Sequence, residues 1–244
     1  MLNTGAPWFL AANKKVPITL VNSARSLANQ TDTATFANLD YGAPSGASRF
    51  VIVCITGEEG TSGLIDVPSA TWGGVSLSRI AGRTGGTGSV AVGSEIWAGF
   101  VGSGVRGDLV VSLNKTASST ENWDSIGVST LVTNTIQSGS AVDTGVFDRL
   151  GGGSADTASD VATAQGGFMV AVGCSTVFDT GFSSFSGNGA NGARTEVVDV
   201  GIEGDHRHAV WLLDGTVNQT TEDFTMTNGT GVAAAWTGAV ASFL

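Results

Sequence analysis

The chain is poor in charge, in cysteine and proline, and in long hydrophobic runs. Only 13% of its 244 residues are charged, and it has 4 prolines, 2 cysteines and 2 histidines. Long surface helices carry Lys, Glu and Arg on their solvent face, so this shortage of charge argues against them. No run approaches the roughly 18 apolar residues of a membrane-spanning helix, and we therefore expect no membrane insertion.

Basic residues are fewer than acidic ones, which gives the chain a net charge of −10 and an isoelectric point near 4.4. Such a chain is repelled by phosphate backbones, so a nucleic-acid partner is not expected. The two cysteines, Cys54 and Cys174, are expected in different cores if the chain forms two separate sandwiches, out of reach of a disulfide. Free buried thiols, and an opening segment without a basic or long apolar stretch, predict a protein made in a reducing cytoplasm.

The chain does contain a repeat of roughly 110 to 120 residues, about the size of one β-sandwich. An apolar run from Phe50 to Cys54 recurs from Phe168 to Cys174. A tryptophan-bearing segment follows each run, with Trp97 in the first copy and Trp211 in the second. Trp97 and Trp211 are therefore expected in the core.

Short apolar or alternating segments separated by Gly, Ser, Thr and Asn predict an all-β protein. We expect two tandem antiparallel β-sandwich units of jelly-roll or Ig-like type, at residues 18–138 and 139–244, behind an extended N-terminal arm at residues 1–17. The continuously apolar run at Phe50 predicts a strand buried on both faces. The pattern leaves open whether the two halves are separate sandwiches or one larger barrel.

Two segments outside the repeat carry aromatic residues that could form contacts. The arm contains Trp8 and Phe9, and the Gly-, Ser- and Asn-rich stretch 176–196 contains Phe178, Phe182 and Phe185. Aromatic side chains in long loops cover a core edge or form a binding surface. We predict both segments as binding or interface regions.

The sharpest local motif is His206-Arg207-His208. Alternate residues of a strand share a face, so the two imidazoles could converge on a metal ion. The chain has no third histidine, and a metal site would need a distant carboxylate. A solvated pair at a strand end, at an edge or interface, is the competing interpretation, and no cofactor is expected.

Trp72 precedes Gly73-Gly74, where a flat ring over exposed backbone could stack on a sugar. The alternative places the same ring over the edge of a sandwich core. No Gly-x-Ser-x-Gly elbow lies between a strand and a helix, so a serine hydrolase is not indicated. No catalytic residues are assigned.

The stretch Ala70-Thr71-Trp72-Gly73-Gly74-Val75-Ser76-Leu77-Ser78-Arg79, the later segment Gly107–Leu113, the segment Ser125–Val128 and the opening Val142-Asp143-Thr144 of the second half resemble a group of tailed-bacteriophage and prophage virion proteins. The resemblance covers most of residues 17–244. It implies a β-sandwich structural protein, such as a head decoration, head fibre or tail appendage subunit. It implies no catalytic residues.

Three functions follow as expectations. The first is a non-enzymatic, multi-copy virion structural protein, assembled in the bacterial host cytoplasm, with capsid or tail proteins as partners and a homo-oligomer, most simply a trimer, as its state. The second is a glycan-binding module of a head or tail fibre that attaches to a host surface. The third is a metal-dependent enzyme that uses His206 and His208.

Overall fold

A computed structural model describes residues 18–42, 49–60, 65–87, 90–115, 123–134, 136, 139–149, 155–176, 182–186, 194–215, 219–228 and 235–244. Every regular element in these ranges is a β-strand, and every pairing is antiparallel. The predicted all-β antiparallel fold is therefore confirmed. The described ranges contain no helix able to cross a membrane.

The strands of the first half are β1 (Thr19–Gln30), β2 (Thr33–Asp40), β3 (Phe50–Glu59), β4 (Ile65–Trp72), β5 (Val75–Ser76), β6 (Ser78–Thr87), β7 (Val90–Phe100), β8 (Arg106–Lys115) and β9 (Trp123–Thr133). Those of the second half are β10 (Asp143–Arg149), β11 (Ala155–Thr163), β12 (Phe168–Ser175), β13 (Phe182–Ser186), β14 (Arg194–Ile202), β15 (His206–Asp214), β16 (Gln219–Asn228) and β17 (Trp236–Phe243).

Each half folds into two sheets. In the first half, inner sheet 1 has the order β1-β9-β3-β7-β6 and outer sheet 1 the order β2-β8-β4-β5. In the second half, inner sheet 2 has the order β10-β17-β12-β15-β14 and outer sheet 2 the order β11-β16-β13. No sheet takes strands from both sides of the predicted boundary at residue 139, and none of the described sheets closes into a barrel.

The pairing within each half is nested: β1 pairs with β9, β2 with β8 and β3 with β7. This is the pattern of a long hairpin rolled into two facing sheets, the jelly roll. The second half repeats it, with β10 on β17, β11 on β16 and β12 on β15. The register repeats as well, since Trp97 lies opposite Val53 and Trp211 lies opposite Ala171, three residues after Phe50 and Phe168 respectively.

Three apolar cores separate four layers. One core lies between the two sheets of the first half and contains Trp97, and another lies within the second half and contains Trp211. Both tryptophans are therefore in cores, as predicted. The third core joins the halves, because inner sheet 1 packs against inner sheet 2 along faces that include Phe50, Ile52 and Val172. We call this contact the shared interface.

The shared interface explains why β3 is buried along its whole length. Val51, Val53 and Ile55 face the core of the first half. Phe50 and Ile52 face the shared interface instead. Successive side chains of a strand point to opposite faces, so a strand between two cores must be apolar at every position.

Cys54 and Cys174 lie in different buried clusters and form no disulfide with each other, as expected, but both face the shared interface. Cys54 belongs to the cluster that joins the halves. The Cys174 thiol donates a hydrogen bond to the Gly57 carbonyl of the first half at 3.5 Å. Both thiols are free, and burial raises the pKa of each.

Candidate functional site

The two histidines lie where the β14–β15 hairpin of the second half reaches over inner sheet 1. The turn of this hairpin places Glu203 and Gly204 at positive φ, 49° and 87°, and the Asp205 amide donates to the Ile202 carbonyl. Glu203 accepts a hydrogen bond from Ser26 of the first half. The hairpin therefore carries His206 and His208 directly into the shared interface.

Both imidazoles converge, as strand alternation predicts, but they meet hydroxyl groups of the first half. The Thr56 hydroxyl lies 2.9 Å from Nε2 of His206 and 2.8 Å from Nδ1 of His208. Ser125 Oγ lies 2.6 Å from His206 Nδ1, and Ser129 Oγ lies 2.8 Å from His208 Nε2. All four ring nitrogens thus have a hydroxyl partner. We call these five residues the histidine clasp.

The donors in the clasp are linked by proton counting. A neutral imidazole has one donor and one acceptor. Thr56 has a single hydroxyl proton and lies between Nε2 of His206 and Nδ1 of His208. It therefore donates to one ring and accepts from the other.

This link gives both histidines the same tautomer. If Thr56 donates to His206 Nε2, both rings carry their proton on Nδ1, and if it donates to His208 Nδ1, both carry it on Nε2. The serines take the matching roles, since Ser125 faces Nδ1 of His206 and Ser129 faces Nε2 of His208.

Burial keeps the clasp uncharged. His206 and His208 have no exposed surface. Burial lowers the pKa of each to about 3, and the neighbouring His208 lowers that of His206 further. A charged imidazole would have to leave water for a pocket of neutral hydroxyls, which is unfavourable. The histidines are therefore neutral at neutral pH.

Acidic side chains lie at the rim of the clasp. Burial raises the pKa of Glu58 to about 8, with further contributions from Asp205 and Asp124. Burial also raises the pKa of Asp205, as does the negative charge of Asp124. Among the described residues, no three His, Cys, Asp or Glu side chains are placed to share a metal ion. Burial and neighbouring negative charge thus favour the protonated forms of Glu58 and Asp205 at the rim.

This geometry bears on the two interpretations of the histidine motif. The described structure directs no imidazole lone pair at an open position, because Thr56, Ser125 and Ser129 occupy every ring nitrogen. The pair is not solvated either, since both rings are fully buried. The histidine pair lies at an interface, where its hydrogen bonds hold two sheets together.

Trp72 is a core residue of the first half. Its ring is 1% exposed, packs edge-on against Tyr41 with centroids 5.1 Å apart, and donates from Nε1 to the Gly107 carbonyl at 3.1 Å. The interpretation of Trp72 as a sugar-stacking ring does not fit this burial. Adjacent Gly73 has φ of 58°, and a Cβ there would lie 1.6 Å from the Tyr41 hydroxyl.

The other predicted contact residues are only partly described. Trp8, Phe9 and Phe178 lie outside the described residues. Phe182 and Phe185 belong to β13, where they pair with Asn228 and Met226 of β16, and their side chains are outside the description.

Sequence reasoning missed Thr56, Ser125 and Ser129. Ser125 and Ser129 are four residues apart on β9, so they share a face. Hydroxyl residues at alternating positions of an otherwise apolar central strand were the available signal. The comparisons with known proteins add no further assignment: no protein-family model matches the chain, and no curated protein matches it.

Proposed function

We propose that the protein is a non-enzymatic, multi-copy structural subunit of a tailed-bacteriophage or prophage particle, most simply a head decoration protein or another capsid- or tail-attached subunit. The observation that carries the proposal is the four-layer body: two jelly rolls of the same strand order joined face to face over an apolar core. Jelly rolls recur in viral capsid proteins, and this support is by analogy of fold.

The distribution of chemistry within the body supports the same proposal. Its most distinctive polar cluster, the histidine clasp, is buried and neutral, and it joins one half to the other. General acid–base catalysis requires a group that can reach the substrate. The clasp contributes to the rigidity of the body, which suits a particle component.

The proposed partners are the major capsid or tail proteins of the particle and further copies of this chain, most simply in a trimer. The arm at residues 1–17 and the stretch 176–196 are the proposed contact regions, because they carry the aromatic residues Trp8, Phe9, Phe178, Phe182 and Phe185.

A deletion of the gene tests the proposal. Particles from the deletion strain and the parent strain are purified and compared by cryo-electron microscopy. We expect regularly spaced density of one 24.5 kDa body per copy to disappear with the gene and to return on complementation. Identical particles from the two strains would overturn the proposal.

A truncation tests the arm separately. The chain without residues 1–17 is expected to fold and to be absent from purified particles, and W8A/F9A is expected to reduce incorporation. Incorporation equal to that of the full chain would show that the arm is not a contact. Density confined to fibre tips, together with signal on a glycan array, would instead favour the host-attachment alternative.

A further inference from the structure

The shared interface has two ends that correspond by the repeat. The strand registers assign each position of one half a counterpart in the other. Thr56 lies opposite Ser94 in the first half, and Cys174 lies opposite His208 in the second. Thr56 therefore corresponds to Cys174, and Ser94 to His208. By the same count Val92 corresponds to His206. Ser129 pairs with Cys54, and Ala239 pairs with Val172 at the equivalent position of the second half, so Ser129 corresponds to Ala239. Four residues earlier on each strand, Ser125 corresponds in the same way to Ala235.

The contacts obey the same correspondence. At one end, His206 lies between Thr56 and Ser125. At the other end its counterpart Val92 clusters with Cys174 and Ala235, the counterparts of those two residues. The interface is therefore built like the isologous contact of a two-fold dimer, with two unlike halves in place of two identical subunits.

The chemistry of the two ends differs. The first half presents the hydroxyls of Thr56, Ser125 and Ser129, which the imidazoles of the second half require. The second half presents Cys174, Ala235 and Ala239 in the same places, which suit the small side chains Val92 and Ser94. Ser94 completes this end through a 3.0 Å hydrogen bond with Thr237.

Wrong pairings would break this match. Two second halves joined through this interface would bury His206 and His208 against two alanines, a thiol and the single hydroxyl of Thr237, which are too few partners for four imidazole nitrogens. Two first halves would bury the three hydroxyls against Val92 and Ser94. Buried polar groups without partners are strongly disfavoured, and mispairing of similar units is a characteristic failure of repeat proteins.

We propose that the histidine clasp is a pairing code: it makes the shared interface accept a first half against a second half and reject two like halves. The code acts within one chain and equally between two copies that exchange halves. It is independent of the proposed virion role, so either proposal can fail alone.

The test uses full-length protein with a protease site inserted between Ser140 and Ala141. The protein is cut, unfolded in denaturant with both fragments present, and refolded. Native mass spectrometry then counts the pairs, because the two fragments differ in mass. Wild-type protein is expected to give pairs of unlike halves, with like pairs below about one in ten.

Two variants copy the corresponding residues from the opposite half. H206V/H208S gives the second half the side chains of Val92 and Ser94, and S125A/S129A gives the first half those of Ala235 and Ala239. H206V/H208S is expected to raise like pairs of second halves at least several-fold. S125A/S129A leaves the imidazoles without their serine partners, so it is expected to weaken unlike pairing.

The matched control is S94A, which removes the buried hydrogen bonds between Ser94 and Thr237 at the other end and is expected to leave pairing unchanged. Frequent like pairs in wild-type protein would overturn the proposal. The proposal would also be overturned if both variants formed only unlike pairs. It would be overturned again if S94A changed the fraction of like pairs as much as the two variants do. If one variant does not refold, the other decides.

Discussion

At the scale of single residues, the clasp couples the proton positions of its two histidines. The single Thr56 hydroxyl between the rings gives them the same tautomer. Buried networks in which each member has a partner are rigid, and an unpaired member is costly.

The first prediction concerns the tautomers. Nitrogen-15 NMR of the imidazoles is expected to show the same ring nitrogen protonated in His206 and His208 at pH 7. In S125A, Nδ1 of His206 loses its hydroxyl partner, and the His206 resonances are expected to shift. Different tautomers on the two rings of the wild-type protein would contradict the shared Thr56 hydroxyl.

The second prediction concerns pH. The histidines have a folded pKa of about 3 against an ordinary value of 6.5, so the unfolded chain binds more protons between these values. Their contribution to stability is complete above pH 6.5 and declines as the pH falls towards 3. The slope approaches about 1.4 kcal/mol per pH unit for each histidine.

Urea unfolding of wild-type protein and H206V/H208S at a series of pH values isolates this effect from the carboxyl groups. The free energy of unfolding of wild-type protein relative to the variant is expected to fall from pH 6.5 to about pH 3 and to be flat above pH 7. A difference that does not change with pH would mean that the imidazoles are not buried in neutral form.

The sequence indicates part of this site. Strand alternation correctly predicts that His206 and His208 share a face. The hydroxyl partners could not be predicted, because Thr56 and Ser125 are 150 and 81 residues away from His206 and meet it only through the packing of two sheets.

At the scale of strands, glycines in the inner sheets allow aromatic rings to pack across the strands. Phe147 of β10 lies opposite Gly238 of β17 and packs edge-on with Trp236, with ring centroids 5.8 Å apart. A Cβ at Gly238 would lie 2.0 Å from two carbons of the Phe147 ring. The Phe147 ring thus occupies the space that a side chain at position 238 would need.

The third prediction follows from this contact. G238A is expected to lower the free energy of unfolding by about 1–3 kcal/mol, the usual cost of overpacking a core. G99A is the matched control, because its Cβ would lie 3.1 Å from the flexible Leu77 side chain and no closer than 3.6 Å to the backbone. Urea denaturation that finds equal losses in the two variants would contradict the packing described here.

Apolar runs and alternation predict most strand positions, including β3 and β12, since burial on both faces requires continuous apolar sequence. The local shifts of register escape such prediction. In β2 one extra residue falls between Phe36 and Leu39, where Asn38 takes a φ of 55° and its amide donates to Asp108. A polar side chain on the neighbouring strand stabilises this turn of the backbone.

At the scale of the whole molecule, the repeat predicts two sandwiches, whereas the shared interface has no separate signature in the sequence. Its residues are as apolar as those of any core, and the pattern does not tell which core they enter. Phe50, Phe168 and Phe243 meet there, with Phe50 and Phe243 at 5.6 Å and Phe168 and Phe243 at 5.3 Å between ring centroids.

The fourth prediction is that the two halves unfold together. Because they share a core, calorimetry is expected to show one transition with equal calorimetric and van't Hoff enthalpies. I52N places an amide in the shared interface and is expected to separate the transitions, whereas the control I52V removes one methylene and is expected to keep one. Two resolved transitions in wild-type protein would contradict a shared core.

The central claim is that this four-layer body is a component of a phage particle, and direct binding tests it best. Purified full-length protein is titrated onto particles from the deletion strain, and bound protein is measured after sedimentation. Saturation at a fixed, multiple number of copies per particle, with no binding to parent particles already carrying the protein, is the predicted result. Binding that does not saturate, or equal binding to both kinds of particle, would contradict it.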